Sequence, residues 1–429
     1  MSRSVKKISS RTFAAGIRCT IPLTGLDLLY NNNLISTGLA VYNTIPDLDR
    51  LYRAIGRALG AFPSFSGQIT HGSAGPCVKV GDSSLHVDLY ETRESLLSEI
   101  PLTDRKLVKS LGFIEQDEVM MRERRVFALI LAVNAVEKSS VLVWKTAHCH
   151  TDGHNITRFL KKISDVYHAE VSDDREIMNR YSAFEDFLQK DEKAGNRYIR
   201  ESEPNPLACG SADVEVSSAL IALPNNTFDF LDREAVSERK LLQALMLKIH
   251  AKCIKRTDFF DMEVSRVLDI RAKEVFDRDY SGNALITERC SISTEILLSE
   301  NLSHIYDVLE SRMSWDFDAA VEAVALLEKN KRKRDFLFLE ALPDPGFLPG
   351  KLLGGNLEIN DISFFGIHAL DFGSQPLWFD IPRRTSACEV VLLPLCLSEE
   401  FRYVRVYGPA EYVGDFISRF YETLGVSYY

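Results

Sequence analysis

Two hydrophobic rhythms alternate along the chain. From Asp47 to Phe62 (DLDRLYRAIGRALGAF), Leu48, Leu51, Ile55, Leu59 and Phe62 recur at helical spacing, and Pro63 ends the run. From Arg125 to Thr146 (RVFALILAVNAVEKSSVLVWKT) the Val-, Leu- and Ile-rich text predicts two strands joined by a polar turn at 137–140. After Gly153 the helical period returns. Ile156, Phe159, Leu160, Ile163, Val166 and Tyr167 share one face, with Arg158, Lys161 and Lys162 opposite. A strand, a short connection and a helix are therefore expected across residues 141–167.

The second half repeats the scheme. SSALIALP predicts a strand, and ERKLLQALMLKIHAKC predicts a helix with Ser237 as its N-cap. Strands are expected near 262–270 and 290–297, a helix through the 300s, strands in SACEVVLLPLCL and FRYVRVYG, and a closing helix over Ala410–Leu424. Between Gln189 and Val214 the text is polar, with Gly and Pro and no apolar period, which reads as a connection. The expected organisation is a domain over 1–188, a crossover over 189–214 and a domain over 215–429. Both are α/β layers of similar size, which invites a pseudo-symmetric pair with a site at the seam.

Length and composition narrow the class. A chain of 429 residues exceeds what one core holds, ~250–300 residues. At 45% hydrophobic and 26% charged it is globular, which excludes disordered and fibrous chains. No run reaches the ~18–20 apolar residues of a membrane span. The basic N-terminus, MSRSVKKISSRTFAAG, lacks the apolar stretch of a secretory signal. A net charge of −10 disfavours nucleic acid and anionic membrane as partners. A cytoplasmic monomer is the expectation. The eight cysteines show no CxxC pair and no zinc spacing, as for small buried hydrophobes in a reducing compartment.

Candidate chemistry concentrates in HCHTDGHN, residues 148–155, where an apolar strand gives way to a helix. Rigid elements there fix side chains that face a cleft, and an imidazole can take a proton near neutral pH. The residues alone leave several readings open. Asp152 or Asn155 caps the helix and the histidines are satisfied polar groups. His148 and His150 hold a metal, although no third ligand is evident. Cys149 is a nucleophile, although nothing marks its thiol as activated. Or His148 is a general base.

The spacing His148-x-x-x-Asp152-Gly153 resembles the HxxxDG signature of the BAHD acyltransferases and of their relatives, the chloramphenicol acetyltransferases and condensation domains. Other landmarks fall in family order. LGAFPSFSGQI (59–69) is similar to the early F-P-x-x-G-R segment. VLDIRAKEV and YSGNAL resemble the D-x-R … Y-x-G-N segment through Asp269, Arg271, Gly282 and Asn283. Asp371, Phe372 and Gly373 stand where the family has DFGWG, and EVVLLPLCL resembles its late core strand. Two positions depart: Ser374 and Gln375 replace the Trp and second Gly of DFGWG, and Ile362 stands where plant members carry a tryptophan. The helix expected over 182–193 resembles condensation domains more than plant acyltransferases.

The resemblance implies two chloramphenicol-acetyltransferase-like domains, each a mixed sheet flanked by helices, with a tunnel at their interface. It implies transfer of an acyl group from coenzyme A to a hydroxyl or amine of a small, natural-product-like acceptor. No cofactor is bound permanently; acyl-CoA is a co-substrate. His148 is the implied general base. Asp152 pairs with Arg271 to shape the loop, and Gly153 gives the backbone room. Asn360 and Ser363 are candidate donors to the oxyanion, His368 a candidate pocket residue, and Asp371, Phe372 and Gly373 a structural motif. The basic run 329–334 (KNKRKR) is either a nucleotide contact or a solvated surface. A phosphopantetheinyl carrier protein as donor, and a catalytically silent binding protein of the same fold, are the alternatives.

Overall fold

The computed structural model describes residues 5–29, 35–73, 75–97, 113–170, 175, 216–224, 227, 238–254, 258–273, 276, 279–313, 324–325, 328, 357–381, 388–394 and 401–424. The crossover 189–214, the helix expected over 182–193, the basic run 329–334 and the Ser237 cap lie outside them.

The first sheet has six strands in the order β1 (Val5–Phe13), β6 (Leu85–Thr92), β7 (Phe127–Asn134), β8 (Ser139–Ala147), β3 (Ile35–Tyr42) and β13 (Trp378–Asp380). Only β6 and β7 run parallel. β7 and β8 are the two strands expected from 125–146, and every residue of β8 is buried, as a sheet covered on both faces requires. A three-stranded antiparallel sheet, β2 (Cys19–Pro22), β5 (Gly75–Val80) and β4 (Gln68–Gly72), lies beside it in sequence. Helix α1 (Leu48–Ala61) starts where the Asp47 carboxylate accepts the Arg50 N–H, and packs against α3 (Gly153–Tyr167). On the sheet's far side α2 (Phe113–Glu123) sends Asp117 to the buried Lys145 of β8.

The second sheet also has six strands: β11 (Leu285–Ser293), β10 (Asp261–Asp269), β12 (Leu357–Asp361), β14 (Glu389–Leu392), β15 (Phe401–Pro409) and β9 (Val216–Pro224). It is mixed, with β10, β12 and β14 parallel. Helices α4 (Glu238–Cys253), α6 (Leu302–Arg312) and α7 (Ala410–Leu424) pack together over it. α4 buries residues nearly all round, which suits a central helix. One boundary differs from the sequence expectation. The strand placed near 290–297 ends at Ser293, whose hydroxyl accepts the Glu295 N–H and starts the short helix α5 (Thr294–Ser299). The cap chemistry wins over the apolar text of EILL.

Two hydrophobic cores follow the two sheets. They are not divided along the chain at residue 215, because β13 pairs with β3 and carries Trp378 and Phe379 into the first core. A three-residue strand is too short to leave a periodic trace. Among the described residues no helix is long and apolar enough to cross a membrane.

Candidate active site

His148 follows the last residue of β8, and Asp152 caps α3 by accepting the Asn155 N–H. This four-residue turn lies on the seam between the sheets. A cleft of about 870 Å³, its open mouth included, is lined there by Thr146, His148, Asp152, Gly153 and His154 from the first half and by Val267, Asp269, Leu285, Asn360 and Phe365 from the second.

The second half holds the turn by its backbone. Asn283 Nδ2 donates to the His148 carbonyl at 2.8 Å, Thr151 Oγ1 to the Ser281 carbonyl, and Asn155 Nδ2 to the carbonyls of Tyr280 and Gly282. Asn283 is itself held by Asp27, whose Oδ1 accepts both its backbone and side-chain N–H. The YSGNAL segment thus forms a bracket around the His148 turn.

Asp152 is fully enclosed, and both its oxygens are in use. Oδ2 pairs with Arg271 Nη2 at 2.9 Å and accepts the Ala284 N–H at 3.0 Å, while Oδ1 holds the helix cap. Burial pushes its pKa up, but Arg271 and the Ala284 N–H outweigh burial and hold it below the usual carboxylate range. Arg271 also donates to the Tyr280 carbonyl and to Asp269. Asp269 moves the other way: burial raises it, and the nearby Asp152 charge adds to the rise against Arg271. Burial and the Arg271 charge lower the pKa of His154, on the first turn of α3, against the pull of Asp152 and Asp269.

The three histidines of the motif diverge. His148 borders the cleft, whereas His150 turns into the first core, its Nε2 at 2.7 Å from Ser64 Oγ and its ring edge-on to Phe65. A shared metal between His148 and His150 is therefore not formed, and among the described residues no cluster of three His, Cys, Asp or Glu could hold an ion. Cys149 is wholly buried in the first core. A thiol there has no route to a substrate.

Gly153 is required for a different reason from the one its sequence suggests. It sits in the first turn of the helix, and a Cβ there would stand 2.4 Å from the Phe365 ring of the other half. The missing side chain makes room for a neighbour rather than for an unusual backbone.

Of the oxyanion candidates, Asn360 borders the cleft, its Nδ2 also donating to Glu389 at 3.3 Å. Ser363 does not line it; its hydroxyl donates to Asp361 Oδ1 at 2.7 Å. His368 is exposed and outside the cleft lining. Asp371, Phe372 and Gly373 lie away from the cleft, at the far end of α3. Ser164 donates to the Asp371 carbonyl, His168 Nε2 is 3.1 Å from its carboxylate, and Phe372 packs edge-on between Tyr42 and Tyr167. Gly373, at φ +104°, closes the turn and donates its N–H back to Asp371.

The sequence reading passed over Phe365, Asp27 and the cleft role of His154. His154 carried a usable signal, since a helix capped by Asp152 points its first turn at the same seam as His148. Phe365 and Asp27 carried none, because their partners are remote in the chain.

No family model matches the sequence, and no curated protein matches it by sequence. Solved structures match over almost the full length. Vinorine synthase superposes with a TM-score of 0.66 at 12% identity, covering 96% of each chain. TRI101 of F. sporotrichioides, complexed with coenzyme A and T-2, gives 0.65 at 14% identity, covering 93% of this chain and 97% of that one. The condensation domain of the monacolin K polyketide synthase MokA gives 0.59 at 11% identity, covering 95% and 96%. The chain has the two-domain fold shared by BAHD-type acyltransferases and condensation domains.

Proposed function

We propose that the protein is an acyltransferase that moves an acyl group from a coenzyme A thioester to a hydroxyl or amine of a small acceptor. The domains are those bounded by the crossover 189–214, with β13 of the second crossing over to the first sheet, and the cleft between them continues as a passage open to both substrates. The observation that carries the reading is the position of His148, beside the cleft on a turn bracketed from the other half by Asn283.

A hydroxyl is too weak an acid to ionise at neutral pH, so the acceptor must lose its proton as it attacks. His148 takes that proton while the acceptor oxygen or nitrogen bonds to the thioester carbonyl carbon. Asp152 cannot do so, because both its oxygens are engaged and its pKa is held low. The tetrahedral oxyanion needs a donor, and Asn360 is the remaining candidate. Collapse breaks the carbon–sulfur bond, and the His148 imidazolium returns the proton to the departing thiolate. No covalent enzyme intermediate and no resident cofactor is needed, because the thiol is already a good leaving group.

Coenzyme A as donor is supported by the TRI101 complexes, whose fold this chain shares. The fold shared with condensation domains favours a second reading, in which the donor thioester sits on a carrier protein. A cytoplasmic monomer suits either.

The test is thiol release by the purified full chain with a panel of acyl-CoAs and of hydroxyl and amine acceptors. His148→Ala is expected to cut turnover by ~10²–10⁴ with the fold intact. Turnover that survives the substitution removes the mechanism. Transfer from an acylated carrier protein but not from acyl-CoA decides for the second reading, and binding without turnover from either donor decides for a silent protein of this fold.

A further inference from the structure

One wall of the cleft carries more negative charge than its own cations neutralise. Arg271 stands between two carboxylates, 2.9 Å from Asp152 and 3.2 Å from Asp269. Asp152 spends both oxygens inside the protein. Asp269 spends one: its Oδ1 accepts the Arg271 backbone N–H and Nη1, and among the described residues its Oδ2 has no hydrogen-bond partner. Two carboxylates thus share one guanidinium, and the neighbouring charges do not redress the count. Arg158 is paired with Asp279 and Arg239 with Asp361, and among the described residues that line the cleft there is no lysine or arginine.

Asp269 is placed in that wall by its strand. Val267 and Asp269 are two apart on β10 and share a face, and Leu285 of β11 lies directly opposite Asp269 in the register. All three border the cleft, facing His154 of the first half. Starting the turn after β10 uses Oδ1 alone. It does not call for an open oxygen beside two aliphatic side chains, where an unmatched charge is costly. Burial and then the Asp152 charge raise the Asp269 pKa, the response of a carboxylate short of positive charge.

We propose that Asp269 anchors a protonated amine on the acceptor, set apart from the atom that is acylated. An ammonium brings the missing positive charge and donates to Oδ2, with further N–H groups left for other acceptors. An amine held as its ammonium has no lone pair with which to attack a thioester, so it is not the group that receives the acyl chain. The nucleophile is a second group, a hydroxyl or free amine, delivered to His148 on the wall from the first half. The acceptor is therefore an amino alcohol or a diamine, with Val267 and Leu285 covering the carbons next to the held nitrogen. That the second group is acylated rests on the acyl-transfer reading; the ammonium contact does not.

Binding to the purified full chain is titrated calorimetrically at neutral pH with aminobutanol and aminohexanol, and with butanediol and hexanediol as the diols of equal length. Wild type is expected to prefer the better-fitting amino alcohol over its diol by about ten- to a hundredfold. Asp269→Asn, which keeps the shape and removes the charge, should bring the two near parity. Asp361→Asn, at the cleft carboxylate that Arg239 already neutralises, should leave the preference as it is. Val267→Lys puts a cation on the same strand face, about 7 Å along β10, and should abolish the preference with Asp269 in place. Circular dichroism checks each fold, and if Asp269→Asn does not fold, Val267→Lys carries the comparison. Equal binding of amino alcohol and diol to wild type, a preference that survives either folded variant, or one that follows Asp361 instead overturns the anchor. In turnover with acyl-CoA, Asp269→Asn should raise KM for the amino alcohol far more than for the diol, a split that a merely structural carboxylate would not give. The expected product from an amino alcohol is the ester; an amide would make the nitrogen the nucleophile and overturn the anchor. Amine binding through Asp269 with no transfer from any donor overturns the acyl-transfer reading alone. Transfer with no preference for the amino alcohol overturns the anchor alone.

Discussion

Two buried carboxylate–guanidinium pairs tie the bodies built on the two sheets together, and they are built for different ends. Asp152 on α3 meets Arg271 just after β10, and Asp380 on β13 meets Arg405 on β15; all four side chains are at most 2% exposed. The first pair is embedded in backbone. Its carboxylate also caps a helix and accepts the Ala284 N–H, and its guanidinium reaches the carbonyls of Tyr280 and Gly282. The second is a more self-contained contact, Arg405 donating through Nε and Nη2 to one carboxylate that also accepts the adjacent Ile381 N–H. The first shapes the turn that presents His148, and the second ties one sheet to the other. A buried ion pair by itself therefore says little about function; what else its atoms hold says more.

Removing one partner should hurt both alike, and this is the largest effect expected. Asp380→Ala leaves Arg405 buried without its carboxylate, and Asp152→Ala strips the helix cap and leaves Arg271 with Asp269 alone; each is expected to lose about 3–5 kcal/mol, which urea unfolding can measure. A loss under 1 kcal/mol at either site would mean that the arginine finds water and that the junction is not closed.

Replacing both partners should then separate them. Exchanging a buried pair for apolar residues of similar volume is often neutral or stabilising by ~1–4 kcal/mol. Asp380→Leu with Arg405→Met is expected to keep stability and thiol release near wild type. Asp152→Leu with Arg271→Met loses the helix cap and the grip on residues 280–284, so turnover should fall with the His148 turn even where the chain stays folded. Equal turnover in the two double variants would show that the first pair is as purely structural as the second.

The same contrast marks how far the sequence could be read. The HCHTDGHN turn was legible because its parts are local: a strand, a cap and a helix within one short stretch, to which the landmark resemblance added Arg271. The two-layer organisation was legible from the change of period. What sequence could not show is what lies across the seam. Gly153 reads as a flexible helix start, yet it is the Phe365 ring that demands it. Asn283 reads as one landmark among several, yet it grips the His148 carbonyl and leans on Asp27, 256 residues away. β13 leaves no periodic trace, and with it the Trp144–Phe379 contact was invisible. Ser363 looked as suitable as Asn360 because residue type does not record which hydroxyl a neighbouring Asp361 has already claimed.

The smallest expected difference is in pH dependence, and it follows from the opposite shifts of the two carboxylates. At Asp152 the partners outweigh burial and the folded pKa lies below the unfolded value of ~3.9. Its contribution is therefore complete above that value and is lost as pH falls through the folded pKa. At Asp380 burial outweighs Arg405 and the folded pKa is raised. The folded state then holds this proton more tightly than the unfolded chain, so acid removes no stability through this group. Unfolding free energies of Asp152→Asn and wild type should accordingly converge as pH falls below ~4, while the gap between Asp380→Asn and wild type holds or widens. Convergence of both gaps together would mean that the two carboxylates ionise alike. The difference between the junctions would then lie only in their hydrogen bonds, with the His148 turn owing nothing to the charge state of Asp152.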